Sequence, residues 1–358
     1  MITLKDIAAL RLQNQHIACA RFMTPGDIVF SLGAIQAQDY QMSKWAMGLR
    51  QPALTDQAIE GAIASGEIIR THLMRPTWHF VAAKDVNWML ELTAPHLKAL
   101  QKPRLKELEL SELAIESSKE IIENVLRGNK ALSRKELCAE LTKSNISCEG
   151  QRGAHIMFAA ELDGLICSGP TRAKQQTYAL LKERVPPGNK LSMEEALGEL
   201  ARRYFTSRGP ATLSDFQWWS GLSLTKVRSA LELVKTGLVS ESLGGNTYWF
   251  SPESQISDQL DDSVHLIPAF DELIISYKNR TAALSSSDQR SVLSSNGIFR
   301  PAIVQRGEVK GIWSRAIEKG HVVIKPLFFQ KPDKNILHLF EIGANKFGNF
   351  LGLPVKIV

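Results

Sequence analysis

Two glutamines, Gln36 and Gln38, flank one small apolar residue at the end of a predicted amphipathic helix. Side chains at i and i+2 project in different directions from a helix, so both amides can point one way only if the chain leaves the helix there. The spacing therefore predicts a loop or the start of a strand, and loops held on a rigid scaffold often carry catalytic residues. A solvated polar turn is the alternative interpretation of these residues alone.

The elements that would position this motif are predicted from helix caps and apolar spacing. Thr24 followed by Pro25 is typical of a helix start, and apolar residues then recur at i, i+4 and i+7 as far as Ile35. A hairpin is predicted from Glu67 to Ala82, and after it a helix that Pro95 interrupts.

A layout of capped helix, second helix and two short strands around a turn occurs three times along the chain. Capping boxes at Ser133 with Glu136 and at Ser192 with Glu195 open helices in the second and third copies. This is the order of a winged helix, a helix-turn-helix with a β-hairpin wing. We therefore predict an α+β chain with winged helices at residues 1–108, 109–187 and 188–253, a polar linker, and a C-terminal β-rich unit at residues 263–358.

Composition narrows the function classes. The 358 residues are 44% hydrophobic and 22% charged, with a net charge of +6 and a pI of about 9.1, which suits one face binding an anionic polymer. No apolar run approaches the ~20 residues that cross a bilayer, and no signal peptide is recognisable at the start, so a cytoplasmic protein without a membrane partner is expected.

The four cysteines, Cys19, Cys138, Cys148 and Cys167, are scattered without the C-x-x-C spacing of a zinc knuckle. Buried free thiols are the interpretation that fits best, and the eight histidines are equally dispersed. We predict no structural metal and no cofactor.

Four stretches together resemble the AlkZ-like winged-helix DNA glycosylases, the bacterial family that also contains the YcaQ-type enzymes. They are Gln36 with Gln38, Arg70 to His79, Leu266 to Leu273, and Phe299 to Ala302, and with them the resemblance spans nearly the whole chain. It implies tandem winged helices around a curved channel for duplex DNA and removal of alkylated purines, including crosslinked ones. It also assigns the catalytic role to Gln36 and Gln38.

Two amides suit that chemistry. An N7-alkylguanine carries a fixed positive charge and departs as a neutral base, so no strong general acid is required. Glutamine offers a carbonyl acceptor and an amide donor without a titrating proton, and two such amides can hold a water beside the anomeric carbon. Asp39 is the ionisable rival; it is interpreted as a cap or turn residue, with a catalytic or supporting role as the alternative.

Several polar residues are predicted to contact DNA, each against the alternative of a structural or solvated side chain. They lie in the Glu67–Ala82 hairpin and at the tip of the second wing: Arg70, His72, Arg75, Thr77, His79, Arg172 and Lys174. The predicted partner is double-stranded DNA with alkylated purines, bound by a nucleoid-associated monomer without an obligate protein partner. A winged-helix DNA-binding protein or transcriptional regulator without catalysis is the alternative function, and a protein-interaction scaffold is a third.

Overall fold

The computed structural model describes residues 2–19, 24–173, 175–186, 188, 190–255, 262–294 and 296–358. The chain divides into two compact units, residues 1–60 with 197–358, and residues 61–196. Helices and mainly antiparallel strands occupy separate stretches of chain, which confirms the predicted α+β class. The winged-helix arrangement, the DNA channel and the four-segment division remain predictions. No described helix is both long and apolar enough to span a membrane.

The N-terminal part of the first unit contains short capped helices around one very short strand. Thr24 and Asp27 form a reciprocal capping box at the predicted helix start, and the helix ends before Gly33. The elements are α1 (Leu4–Asn14), α2 (Pro25–Leu32), β1 (Ile35–Gln36), α3 (Tyr40–Arg50) and α4 (Asp56–Ser65), the last of which runs into the second unit.

The second unit contains the predicted hairpin and the second predicted helix-helix-wing segment. Its core is apolar and includes Ile122, Leu126, Leu137, Ile156 and Leu180. The elements are β2 (Ile68–His72), β3 (Trp78–Ala82), α5 (Val86–Glu107), α6 (Glu112–Leu126), α7 (Arg134–Lys143), α8 (Arg152–Leu162), β4 (Ile166–Ser168), β5 (Tyr178–Leu180) and α9 (Leu181–Arg184).

Two sequence predictions fail in this unit. Helix α5 continues through Pro95, because Ala94 and Leu97 beside it are buried against Leu162, and that packing offsets the lost backbone hydrogen bond. The cysteines are not uniformly buried either. Cys167 is buried, but Cys19 is exposed and Cys138 and Cys148 are half-buried.

The remaining chain returns to the first unit. Trp45 of α3 packs on Phe347, and Gly48 lies so close to the Phe350 ring that a Cβ there would fall 2.5 Å from it. The elements are α10 (Met193–Arg208), α11 (Leu213–Ser220), α12 (Leu224–Val234), β6 (Val239–Leu243), β7 (Asn246–Phe250), β8 (Val264–Ile267), α13 (Glu272–Ile275), α14 (Gln289–Val292), β9 (Ala302–Gln305), β10 (Glu308–Glu318), β11 (His321–Phe328), α15 (Lys334–Leu351) and β12 (Val355–Ile357).

Residues 263–358, the predicted C-terminal β-rich unit, contain a five-stranded sheet in the order β12-β11-β10-β9-β8. Neighbouring strands are antiparallel except β11 and β12, which pair in parallel. The Arg306-Gly307 turn joins β9 to β10, as the sequence predicts. Of the predicted linker, residues 256–261 lie outside the described part of the chain.

Candidate active site

The chain leaves the helix at the glutamine motif, as the i, i+2 spacing predicts. Gly33 caps α2 with φ of 74°, a left-handed conformation that glycine adopts at no steric cost. Residues Ile35 and Gln36 are then extended as β1. Gln36 is 7% exposed and Ala37 is fully buried, whereas Gln38 is exposed to solvent. The two amides therefore lie in different environments, one largely enclosed and one facing water.

A fully buried ion pair binds the backbone of this loop. The Arg208 guanidinium lies 2.7 Å from a carboxylate oxygen of Glu272, and both side chains are 0% exposed. Arg208 donates to the carbonyl oxygens of Leu32 (2.6 Å) and Ala34 (2.9 Å). Glu272 accepts the Gln36 backbone N–H at 2.9 Å. Three backbone groups between residues 32 and 36 are thus fixed by one pair of charges.

The Glu272 carboxylate remains ionised in this setting. Burial by itself would raise the Glu272 pKa, but the Arg208 charge and hydrogen bonds from Ser276, Arg208 and the Gln36 backbone lower it to about 2. The Trp219 indole N–H donates to Glu272 at 2.9 Å, and its ring lies 4.4 Å from the Arg208 guanidinium carbon.

Asp39 begins the helix that follows the motif. Its Oδ1 atom accepts the Met42 backbone N–H at 3.1 Å, so the cap interpretation of Asp39 is confirmed. Arg315 of β10 is close enough to interact electrostatically with this carboxylate. Burial lowers the Arg315 pKa, and the Asp39 charge acts in the opposite direction. A cation on the C-terminal sheet therefore lies near the glutamine motif.

Helix α3 is held along its whole length. Lys44, only 2% exposed, is 2.8 Å from Asp56 and 2.9 Å from Glu60. The Trp45 indole donates to the Leu266 carbonyl at 2.7 Å, and this buried tryptophan is a core residue. At the helix end, Arg50 and Asp271 form a fully buried ion pair at 2.8 Å.

In the Arg70–His79 hairpin of the second unit, polar side chains pack within the unit. Strands β2 and β3 pair from Ile68 with Ala82 to His72 with Trp78. Arg70 is 7% exposed, and its guanidinium carbon lies 4.5 Å from the centre of the Trp78 ring. One of its nitrogens approaches the Ser168 hydroxyl at 3.5 Å. The Arg70 side chain is therefore part of the packing of this unit.

The two hairpin histidines have different surroundings. His72 Nδ1 donates to the fully buried Glu161 carboxylate at 2.6 Å, and the His72 ring lies 4.3 Å from that of Trp78. His79 is 0% exposed, with Nδ1 3.0 Å from the Thr77 carbonyl. In the turn between the strands, Arg75 and Thr77 are half-buried, and Arg75 has a positive φ of 39°.

At the tip of the second predicted wing, Arg172 is exposed and forms an ion pair with the capping residue Glu136. Lys174 lies outside the described residues. A DNA-binding role for these residues and for the hairpin side chains remains a prediction.

Sequence reasoning missed the two side chains that bind the backbone of the motif, Arg208 and Glu272, and it also missed the neighbouring pair of Asp271 with Arg50. One signal was present. Asp271 and Glu272 directly follow the apolar run from Leu266 to Phe270, and charged residues next to a buried apolar segment need buried cations as partners. Which arginines supply the charge depends on contacts 64 and 221 residues away along the chain, and no local pattern encodes them.

Comparisons with known proteins agree with this architecture. A family model described as DNA glycosylase AlkZ-like matches residues 29–338. An interstrand DNA cross-link repair glycosylase from Streptomyces sahachiroi is 23% identical over 373 residues, which cover 99% of each chain. Among solved structures, Streptomyces sahachiroi DNA glycosylase AlkZ is similar over 100% of both chains, with a TM-score of 0.82 and 21% identity, and so shares the fold.

Proposed function

Because this chain belongs to the AlkZ-like DNA glycosylase family, we propose that it hydrolyses the N-glycosidic bond of alkylated purines, of the N7-alkylguanine type, in duplex DNA. The chain is a DNA glycosylase, and the alternative of a DNA-binding regulator without catalysis is not favoured. The observation that carries the proposal is the exposed Gln38 amide on a loop whose backbone is fixed from inside the protein.

The geometry suits a substrate that is already activated. A cationic N7-alkylguanine leaves as a neutral base, so the enzyme has to position a water and favour positive charge on the sugar. The exposed amide oxygen of Gln38 is the acceptor for that water, and Gln36, with its small remaining exposure, supports it from the β1 side. Neutral amides cannot remove a proton at neutral pH, which restricts release to bases that are nearly ready to leave.

Asp39 is the second candidate for the water-binding group. It is half-buried, and its cap interaction with Met42 uses only Oδ1. The cap interaction commits this carboxylate to the start of α3, which favours the neutral amides for the main role. On this proposal, Asp39→Ala weakens the start of α3 by about 1 kcal/mol and slows excision less than alanine at either glutamine does.

The test is a glycosylase assay on duplexes that contain N7-methylguanine, N3-methyladenine or an N7-linked interstrand crosslink. Abasic sites are detected by alkaline cleavage, and the Gln36→Ala/Gln38→Ala variant is the control. We expect release of the N7 adduct by the natural protein, none by the double variant, and equal duplex binding by both. The relative from Streptomyces sahachiroi is named for crosslink repair, so unhooking by this chain is part of the proposal.

Two further properties belong to the proposal. The protein acts as a monomer on DNA at the nucleoid, and its candidate DNA contacts are Arg70, His72, Arg75, Thr77, His79, Arg172 and Lys174.

The glycosylase assay also tests the assignment of the catalytic residues. If the double variant forms as much abasic product as the natural protein, the glutamines are not catalytic. If activity is lost only in Asp39→Ala, the catalytic role belongs to Asp39.

A further inference from the structure

All the backbone groups that the Arg208 and Glu272 side chains bind lie in one short segment. These groups are the Leu32 and Ala34 carbonyls and the Gln36 N–H. Arg208 is the last residue of α10, and Glu272 is the first of α13, 64 residues later along the chain. Two separate elements therefore meet at the loop that carries the glutamines.

The pair is itself held in place by neighbouring groups. The Ser276 hydroxyl donates to Glu272 at 2.6 Å and accepts from Arg208 Nε at 2.9 Å. Just before this segment, Phe270 has φ of 58°, a left-handed conformation that is strained for an aromatic residue. A buried ion pair stabilises a fold little compared with well-packed apolar side chains, so stability alone does not account for this arrangement.

The neighbouring pair, Asp271 with Arg50, provides an internal comparison. Both of its side chains are also 0% exposed, and the two oxygens of Asp271 accept from Arg50 at 2.8 and 3.0 Å. Arg50 additionally donates to Gln15 and to the Ala46 carbonyl, and Asp271 accepts the Leu273 N–H. None of these contacts involves residues 32–38.

We propose that Arg208 and Glu272 are positioning residues of the glycosylase reaction, which fix the loop backbone so that the Gln36 and Gln38 amides hold the attacking water in one place. The inference rests on the proposed function of those glutamines. Asp271 and Arg50, equally buried and equally paired, stabilise the first unit without positioning the amides. The two adjacent acids thus have different roles.

The decisive variants are Arg208→Lys and Arg50→Lys. Lysine keeps the positive charge next to the carboxylate but lacks the planar fork whose two separate nitrogens bind the Leu32 and Ala34 carbonyls. Thermal unfolding, duplex affinity, and the single-turnover rate of N7-methylguanine release at saturating enzyme are measured for both variants. Hydrogen exchange is followed by mass spectrometry on peptides covering residues 33–38.

We expect Arg208→Lys to release the base at least tenfold more slowly, to bind duplex within twofold of the natural protein, and to exchange faster at residues 33–38. Arg50→Lys should lose comparable melting temperature while its rate stays within threefold and its loop exchange is unchanged. Equal rate losses in both variants, or a normal rate in Arg208→Lys, would overturn the assignment.

If Arg208→Lys does not fold, Ser276→Ala tests the same assignment, because it removes one hydroxyl that contacts both members of the pair. A rate about threefold lower at unchanged duplex affinity supports the proposal, and a natural rate contradicts it. The exchange measurement needs no substrate. A natural protein that releases no alkylated base would therefore refute the proposed function, while the loop comparison would still report whether Arg208 fixes residues 33–38.

Discussion

The loop of residues 33–38, called the glutamine loop, and the Arg70–His79 hairpin are both predicted from sequence to carry function, yet their side chains are placed differently. In the loop, side chains from distant elements bind the backbone, and Gln38 is left exposed. In the hairpin, the backbone groups pair between strands, and Arg70 and His79 are buried as part of the packing.

This difference separates two uses of polar residues. A side chain that faces solvent from a backbone fixed by other residues can be changed without loss of fold. Its residue type can therefore be set by the requirements of catalysis. A side chain that packs within its own unit contributes to stability first, and any function it has is harder to separate from folding. The loop should therefore respond to substitution in activity and the hairpin in stability.

The largest expected effect is that of Gln38→Ala on excision. Removing one group that stabilises charge in a transition state typically lowers the rate about 100- to 1,000-fold, whereas an exposed substitution changes stability by about 0.5 kcal/mol or less. The single-turnover rate and the urea unfolding curve measure the two sides of this contrast. Gln57→Ala, another exposed glutamine, is the matched control and should retain full activity. Retained excision in Gln38→Ala would remove the distinction between loop and hairpin.

Lowering the pH should weaken the Arg208–Glu272 ion pair that fixes the backbone of the glutamine loop. The folded-state pKa of Glu272 is lowered from 4.5 to about 2, so its contribution to stability is complete above pH 4.5 and is lost as the pH falls towards 2. The contribution is on the order of 3 kcal/mol. We expect the difference in unfolding free energy between the natural protein and Glu272→Gln to shrink between pH 5 and pH 3, measured by urea unfolding. A pH-independent difference would show that the carboxylate charge does not anchor the loop.

Short-range sequence signals were sufficient to predict many of the helix starts and turns of the fold. The Thr24 cap, the capping box at Ser133 and the Arg306-Gly307 turn depend on residues within three or four positions of each other, and each lies where the sequence predicts it. The prediction of a break at Pro95 failed because it depends on a long-range contact. Ala94 and Leu97 pack against Leu162, which is distant in sequence, and this packing preserves the helix.

The candidate site was predictable only in part for the same reason. The departure from helix at Gln36 follows from a local rule, but the selection of Arg208 and Arg50 as partners for Glu272 and Asp271 is a property of the folded chain. Burial of Arg70 also escaped the sequence, since alternation in a strand indicates which residues share a face but not whether that face is covered.

On the hairpin side, Arg70→Ala should destabilise the protein by about 2 kcal/mol, because it removes a buried guanidinium packed against Trp78 and leaves a void. Excision per folded molecule should stay within threefold of the natural rate. Arg70→Lys keeps the charge but loses the planar contact, so it should be intermediate in stability. Arg70 is also a candidate DNA contact, and duplex affinity tests that role separately from stability. A large drop in affinity of the folded variant supports a phosphate contact, and an unchanged affinity removes Arg70 from the candidate DNA contacts.

The smallest effect is expected at the second wing, where Arg172 is exposed and paired with Glu136. If it exchanges that partner for a DNA phosphate, Arg172→Ala should lower the log–log slope of affinity against salt by about one unit. Arg127, which is also exposed and pairs with Glu123 of α6, is the matched control and should leave the slope unchanged on substitution by alanine. Equal slopes for both variants would mean that Arg172 remains with Glu136 in the complex. Function on the hairpin and wing would then rest on side chains other than this cation.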